Sequence, residues 1–375
     1  MKLSCLQENL NKGLGIVGRA VATRTTLPIT QNILLATDDS RLKLAATNLE
    51  MAITCWIGAK VEDEGAITIP ARILTEFVGS LPTDNVELSL SKETLQLKSG
   101  RFEARVNGLK ADEFPPFPQV IGGIVTKIEA EAFSNGISQV TFAAATEESR
   151  PVLTGVHADF NDTNLTLAAA DGFRLAVHRM AVLDKVTKQT GVIIPAKALN
   201  ELHRFLADQK DPVEVVINEQ KTQALFRLKN IELVSQLIQG TFPNYSQLIP
   251  QSYNTRAVID VAEFMRAVKM SSIFARDGSG IVRIVITPGA EAAPGKMSVS
   301  ARAEEIGENV GEIDALIDGE KSQIAFNAKY LAEALSAIHQ KQVALETTTS
   351  SSPGVIRPVC VDNYTHVVMP MFVQW

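Results

Sequence analysis

The sequence predicts an α+β protein made of three similar domains, each with two helices packed on β-sheets. Three observations carry this: a strand-to-helix junction that recurs, apolar residues at helical spacing after each recurrence, and alternating or short apolar runs between the helices. The junction reads Ile67-Thr68-Ile69-Pro70-Ala71-Arg72, returns as Val192-Ile193-Ile194-Pro195-Ala196-Lys197, and returns again, more diverged, as Gln323-Ile324-Ala325-Phe326-Asn327-Ala328-Lys329. Pro70 to Pro195 is 125 positions and Pro195 to Asn327 is 132, so the 375 residues hold three units with nothing over. Units this long exceed the ~20 to 50 residues of solenoid repeats, and each can bury its own core. Three domains set about a pseudo-symmetric axis follow.

In chain order, Leu6, Leu10, Leu14, Val17 and Val21 share a face and predict the first helix. Leu74, Phe77, Val78 and Leu81 predict the second, after the first junction. The later units repeat the pair with Phe133 and Ile137, then Leu199, Leu202, Phe205 and Leu206; and with Phe264 and Val268, then Leu331, Ala334, Leu335 and Ile338. Strands are read at Ile33-Leu34-Leu35, Leu42-Lys43-Leu44, Leu165-Thr166-Leu167 and Met297-Ser298-Val299, each bounded by Asp, Asn, Ser or Gly turns. Units one and two close with Phe-Pro linkers, Ala111-Asp112-Glu113-Phe114-Pro115-Pro116-Phe117-Pro118 and Gly240-Thr241-Phe242-Pro243-Asn244-Tyr245. Pro stops a helix and cannot donate to a sheet, which places the domains at 1–123, 124–252 and 253–375. Two segments of unit three, Pro288 to Lys296 and Glu304 to Glu320, are acidic and Gly-rich and read as surface loops.

Composition narrows the function. At 45% hydrophobic and 21% charged residues the chain is an ordinary globular protein. It has no apolar run approaching the ~18 residues of a membrane helix and no apolar leader at Met1-Lys2-Leu3-Ser4-Cys5, so a cytoplasmic protein without a membrane partner is expected. Cys5, Cys55 and Cys360 are odd in number, far apart and mostly set among apolar residues, the pattern of buried thiols rather than of a disulfide or a metal set. A net charge of -6 argues against a generally basic surface that grips nucleic acid, and leaves room for a local basic lining.

Chemistry is sparse. There is no phosphate loop, no Gly-x-Ser-x-Gly elbow and no His-Glu-x-x-His, and His157, His178, His203, His339 and His366 do not cluster. No catalytic residue, metal or cofactor is expected. Asp171-Gly172-Phe173-Arg174 reads as a turn after the strand Leu165 to Ala169, with Asp and Gly supplying the bend and Arg174 packing or pairing nearby.

Four motifs now converge: Thr26-Leu27-Pro28-Ile29, Ala169-Ala170-Asp171-Gly172-Phe173-Arg174-Leu175-Ala176-Val177, Phe242-Pro243-Asn244-Tyr245 and Val367-Val368-Met369-Pro370-Met371. In this order, on three repeats, they make the whole chain resemble the bacterial sliding clamps, the beta subunit of the replicative DNA polymerase. The resemblance implies three clamp domains per chain, closed by a head-to-tail homodimer into a six-domain ring with helices lining the hole. Such a ring encircles duplex DNA without reading sequence and acts as a non-enzymatic processivity factor. It is weakly attractive inside, so that it slides.

Lys12 and Arg19 lie seven apart, opposite Leu10 and Leu14, and Arg24 follows. By resemblance Arg24, Arg72 and Lys197 join them near the hole; a solvated helix face is the alternative for any one of them. The resemblance further implies that polymerase, clamp loader and repair proteins insert a short apolar peptide into a pocket between domains two and three. Its lining here is Arg150, Leu153, Asp171, Gly172, Phe173, Arg174, Leu175, Pro243, Gln247, Leu248, Val367, Val368, Met369, Pro370, Met371 and Phe372. Independently, a terminal Val367 to Val373 this apolar has to finish a strand against the body, and two thioethers suit a groove for varied peptides. The dimer is expected through edge-strand pairing, with Ile273 and Phe274 against Ala104 and Val106, and Glu304, Glu305 and Glu308 facing Arg101 or Arg105.

Three departures from the family pattern stand out. Phe372, Val373, Gln374 and Trp375 replace a basic and an aliphatic residue after Met-Pro-Met; Gln247 stands where many members carry Arg; and Pro151-Val152 replaces an adjacent tyrosine pair. The first two fit a specialised duplicate clamp with an altered pocket as a rival reading, and the third bears on the DNA contacts of its loop. A scaffold that binds proteins but no DNA is a second, disfavoured by Lys12, Arg19, Arg24 and Lys197. An enzyme using a cleft around Asp171, Arg174 and His178 is a third, and it lacks a nucleophile, base and oxyanion set.

Overall fold

In the computed structural model the described residues are 1–147, 149–275, 280–290, 294–303, 305 and 307–374. Six α-helices occur among them, two in each domain as the repeat required: α1 Gln7–Val17, α2 Ala71–Ser80, α3 Ala130–Val140, α4 Ala196–Leu206, α5 Val261–Ala275 and α6 Ala328–Ser336. The apolar stripes face inward, with Leu10, Leu14, Leu74, Phe133, Ile137, Leu199, Leu202, Phe264, Val268, Leu331 and Leu335 all but fully buried. Burial of one such side chain stabilises by about 1.5–3 kcal/mol, which is what holds short helices in place.

The repeat extends to how the helices seat. Gly13 and Gly136 are the seventh residues of α1 and α3, and a Cβ on them would stand 2.6 Å from Leu44 Cδ1 and 2.1 Å from Met180 Cε. The seventh residue of α5 is Ala267, also buried. A small residue at this place in each copy lets the helix lie close on its sheet.

The described chain divides into two compact units, one of Met1–Ala130, Leu183–Val186 and Arg204–Leu237, the other of Glu131–Val182, Thr187–His203 and the chain from Ile238 onward. The first unit holds a five-stranded sheet and an eight-stranded sheet. In the latter, Met51–Gly58 pairs antiparallel with Ile231–Gln236, from Ser235 opposite Met51 to Ile231 opposite Cys55. The second unit holds a ten-stranded sheet in which Arg174–Pro195 pairs with Tyr364–Val368, from Arg174 opposite Val368 to His178 opposite Tyr364. The central domain therefore gives strands to both large sheets.

Several expectations change. Leu6 ends the strand Lys2–Leu6 and is 56% exposed, so the stripe of α1 begins after it. Gly18 ends α1, and Arg19 sits in the 3-10 turn Gly18–Ala20 rather than on the helix face with Lys12. Glu304 to Glu320 is not a surface loop: Gly307–Gly319 is a 13-residue strand paired along Gly295–Ala303. Its acidic side chains point to solvent while its backbone bonds to the neighbour, and the alternation Ile313, Ala315, Ile317 was the signal beneath the composition. Gly295 and Lys296, placed in the other loop, open a strand. Cys5 and Cys55 are buried thiols as expected, but Cys360 is exposed in a turn with φ +64°.

Candidate functional site

The Asp171 turn organises one surface of the second unit. Gly172 takes φ +94°, a conformation that side chains with a Cβ rarely adopt. Asp171 Oδ1 accepts the backbone N–H of Phe173 at 2.9 Å and of Arg174 at 3.1 Å, closing the turn. Phe173 is thereby presented to solvent, 58% exposed, while Arg174 is drawn inward to 8%.

Arg174 uses its whole guanidinium. Its Nε donates to Asp171 Oδ2 at 2.9 Å, its Nη2 to the carbonyl of Phe142 at 2.7 Å and its Nη1 to Glu333 of α6. The same plane lies over the Tyr330 ring at 4.5 Å and over Phe142 at 5.4 Å. A planar fork with five donors suits this and an ammonium does not. Tyr330 also stacks on Phe173 at 6.4 Å between centroids, and burial followed by the Asp171 charge raises its pKa.

Behind this turn lies an apolar cluster. Leu175 pairs opposite Val367, and both join Ala168 and Val177 in a buried cluster against which Tyr245 and Ile249 pack. The Met369 N–H donates to the Phe173 carbonyl at 2.8 Å and the Met371 N–H to the Ala325 carbonyl at 2.8 Å, tying down the tail beyond the last strand. Exposed around the cluster stand Phe173, Leu248 and Met369, with Phe372 92% exposed.

The structure thus brings Phe173, Arg174, Leu175, Val367 and Met369 together, and Leu248 follows a turn closed by its N–H on the Tyr245 carbonyl at 3.0 Å. Arg150 reaches the turn as well, its Nη1 3.8 Å from where a Gly172 Cβ would be. Leu153, Leu175, Val367 and Val368 are all buried and offer no free side-chain surface; Pro243 and Gln247 are exposed on the linker, and Pro370 and Met371 are half-buried. Trp375 lies outside the described residues. Sequence reasoning missed Tyr330 and Glu333. They lie more than 150 positions from Arg174, and only the charge of Arg174, which had to find a partner, hinted at them.

Lys12 on α1 is exposed and pairs with Asp208 at 2.7 Å; Arg72, at the start of α2, pairs with Glu76 at 2.9 Å; Arg19, Arg24 and Lys197 are exposed. α5 also exposes cations, Arg266 and Lys269, opposite its buried Phe264 and Val268. The same reasoning applied to Lys12 reaches them.

For the dimer, Phe102–Asn107 pairs only with Thr94–Ser99 among the described residues and leaves one edge open. On it Arg105 is exposed, Ala104 half-buried and Val106 buried, with Arg101 exposed just before it. Ile273, 58% exposed, and Phe274, half-buried, lie on α5, so they do not belong to an edge strand as expected. In the third domain, Gly307–Gly319 is paired on its second side only from Leu316 to Gly319 among the described residues. Glu308 on it stands opposite Arg302 of its own sheet, Glu305 is exposed, and Glu304 lies outside the described residues.

With this geometry the comparisons are specific. Family models of the DNA polymerase III beta subunit match in order: its N-terminal domain at residues 1–118, its central domain at 127–244 and its C-terminal domain at 246–372. The chain belongs to the DNA polymerase III beta subunit family. The beta sliding clamp of Synechococcus elongatus is 33% identical over 378 residues, covering 99% of each chain, and that of Bacillus subtilis is 32% identical with the same coverage. The crystal structure of the Bacillus subtilis DNA polymerase sliding clamp superposes with a TM-score of 0.93 at 30% identity, covering 100% of each chain. As in that family, the DNA polymerase III beta fold here is three clamp domains of mixed helix and sheet. No helix among its described residues is long and apolar enough to cross a membrane, and no group of three metal-ligating side chains occurs among them.

Proposed function

We propose that this chain is a sliding clamp that closes as a head-to-tail pair into a six-domain ring around duplex DNA and holds the replicative polymerase at its work. The observation that carries the reading is the threefold repeat of one clamp domain, with cations exposed on helices of each copy: Lys12 and Arg72, Lys197, and Arg266 and Lys269. Cations on an acidic protein give a lining that attracts phosphate without gripping it, as sliding requires. The Lys12–Asp208 and Arg72–Glu76 pairs weaken that attraction further.

The domain limits of this reading are 1–123, 124–252 and 253–375. Closure joins the open edge of Phe102–Asn107 on one copy to the open stretch of Gly307–Gly319 on the next, with Ile273 and Phe274 packing beside the joined strands. Partners dock a short apolar peptide on Phe173, Leu248 and Met369, above the buried floor of Leu175 and Val367. The tether then raises the effective concentration of polymerase at the primer end. The protein acts in the cytoplasm as an accessory factor, and ring opening belongs to a separate loader.

Gln247 and the exposed Phe372 favour a second reading within this one, a duplicate clamp with an altered peptide preference. Retention on a nicked circular plasmid after loading by the organism's own clamp loader tests the main reading. Retention on circles at high salt, with release when the plasmid is cut, supports topological binding. Failure to load, or indifference to cutting, removes DNA encirclement and leaves a protein scaffold.

A further inference from the structure

We propose that the polar cavity adjoining the apolar pocket receives a single carboxylate, carried by the partner segment beside its apolar residues and held by Arg179. This rests on the peptide-pocket reading and names a further determinant of the same partner. The cavity is about 570 Å3, and Val177, Tyr245 and Ile249 belong both to its lining and to the apolar cluster.

The sheet register makes the two continuous. On the strand Arg174–Pro195, Leu175, Val177 and Arg179 are alternate residues on one face. Leu175 stands opposite Val367 and Val177 opposite Thr365, and the Arg179 N–H donates to the Asn363 carbonyl at 2.7 Å. The face therefore changes from apolar to polar over two alternate positions, about 13 Å at the rise of a strand. An extended partner with an apolar side chain over Leu175 reaches Arg179 within about four residues.

The charges say what it carries. Arg179 is exposed and its guanidinium makes no hydrogen bond or ion pair with a described residue. Of the other groups on the cavity, Arg357 is committed to Thr365 Oγ1 at 2.9 Å and Glu346 Oε2 at 3.2 Å, while Asp159 is held by Gln189 Nε2 at 3.1 and 3.3 Å. The open group is thus a planar fork of donors, the partner a carboxylate fits in two parallel bonds. His157 adds a buried Nδ1 with no partner among the described residues, its ring stacked on Phe242 at 5.3 Å and its pKa lowered by burial. Asp362, exposed on the same lining, repels further acids and limits the match to one.

The test uses the full chain and labelled apolar peptides built of Leu, Ala and Phe, followed by fluorescence anisotropy at low salt. One is unextended; the others carry one Glu, or one Lys, four residues before or after the first leucine. One Glu peptide is expected to bind about fivefold tighter than the unextended one, the scale of a single exposed ion pair. Arg179→Ala should abolish that gain, and Arg179→Glu should transfer it to the matching Lys peptide, with the unextended peptide unchanged in both. Equal binding of Glu and Lys peptides to the unaltered chain, or a Glu preference that survives Arg179→Glu, overturns the proposal. If the unextended peptide does not bind, or Leu248→Ala leaves its binding unchanged, the apolar-pocket reading itself fails, and this proposal with it.

Discussion

Replacing Arg174 by Met probes the node beneath the pocket at nearly constant side-chain length. The guanidinium is 7% exposed and reaches three acceptors, on Asp171, Glu333 and Phe142. Removing one member of a buried ion pair costs about 3–5 kcal/mol, because the survivor stays desolvated. Glu333 is 34% exposed and keeps Lys329 at 3.9 Å, so it recovers solvation, and Asp171 keeps two backbone donors. The low end, about 3 kcal/mol, is therefore expected. At roughly 2–4 °C per kcal/mol this lowers the melting transition by about 6–12 °C. Arg174→Lys, which keeps the charge but not the fork or the stack over Tyr330, should lose about half as much. Below the transition, Arg174→Met should also weaken apolar-peptide binding, since the Asp171 turn that presents Phe173 is no longer braced. Thermal melting and anisotropy titration read both effects. A shift under 2 °C with unchanged peptide affinity would refute the account, as would strict additivity with Glu333→Gln in a double-mutant cycle.

Three other outcomes follow from buried and exposed groups. Burial raises the Cys5 thiol to about 12 and Cys55 to about 11, while Cys360 is exposed, so Ellman's reagent at pH 8 should titrate one thiol in the native chain and three after denaturation. Burial lowers His178 from 6.5 to about 4, and burial with the Arg174 charge lowers His366 from 6.5 to about 3. Both are neutral when folded, so stability is complete above pH 6.5 and falls as the unfolded chain takes up protons below it, by up to about 1.4 kcal/mol per pH unit for each imidazole. Melting temperatures from pH 7.5 to 5 should drop, and less steeply in His178→Gln and His366→Gln; an identical slope in both variants removes the imidazoles as the cause. Ile273→Asp should shift the proposed dimer to monomer in sedimentation, raising the dissociation constant at least ~30-fold, and an unchanged distribution rejects that placement.

The repeat and the helices were readable because 3.6-residue periodicity and the Pro-Ala and Asn-Ala junctions are local signals that recur in each copy. Gly13, Gly136 and Ala267 belong to the same local record, since close seating of a helix demands a small residue there. The strand Gly307–Gly319 was hidden for the opposite reason. A strand with exposed faces carries loop-like composition, which masked the Ile313, Ala315, Ile317 alternation, and its pairing with Gly295–Ala303 makes the strand plain.

By itself the sequence determined three clamp domains, the Asp171 turn and the apolar C-terminal strand, because each rests on neighbours in the chain and on motifs of fixed spacing. Tertiary structure decided the rest. It joined Arg174 to Glu333 and Tyr330, set Leu175 opposite Val367, buried Val368 while leaving Met369 in water, and aligned Arg179 with the apolar floor. These relations depend on which strands pair and in what register, and a one-residue slip would turn every side chain to the other face.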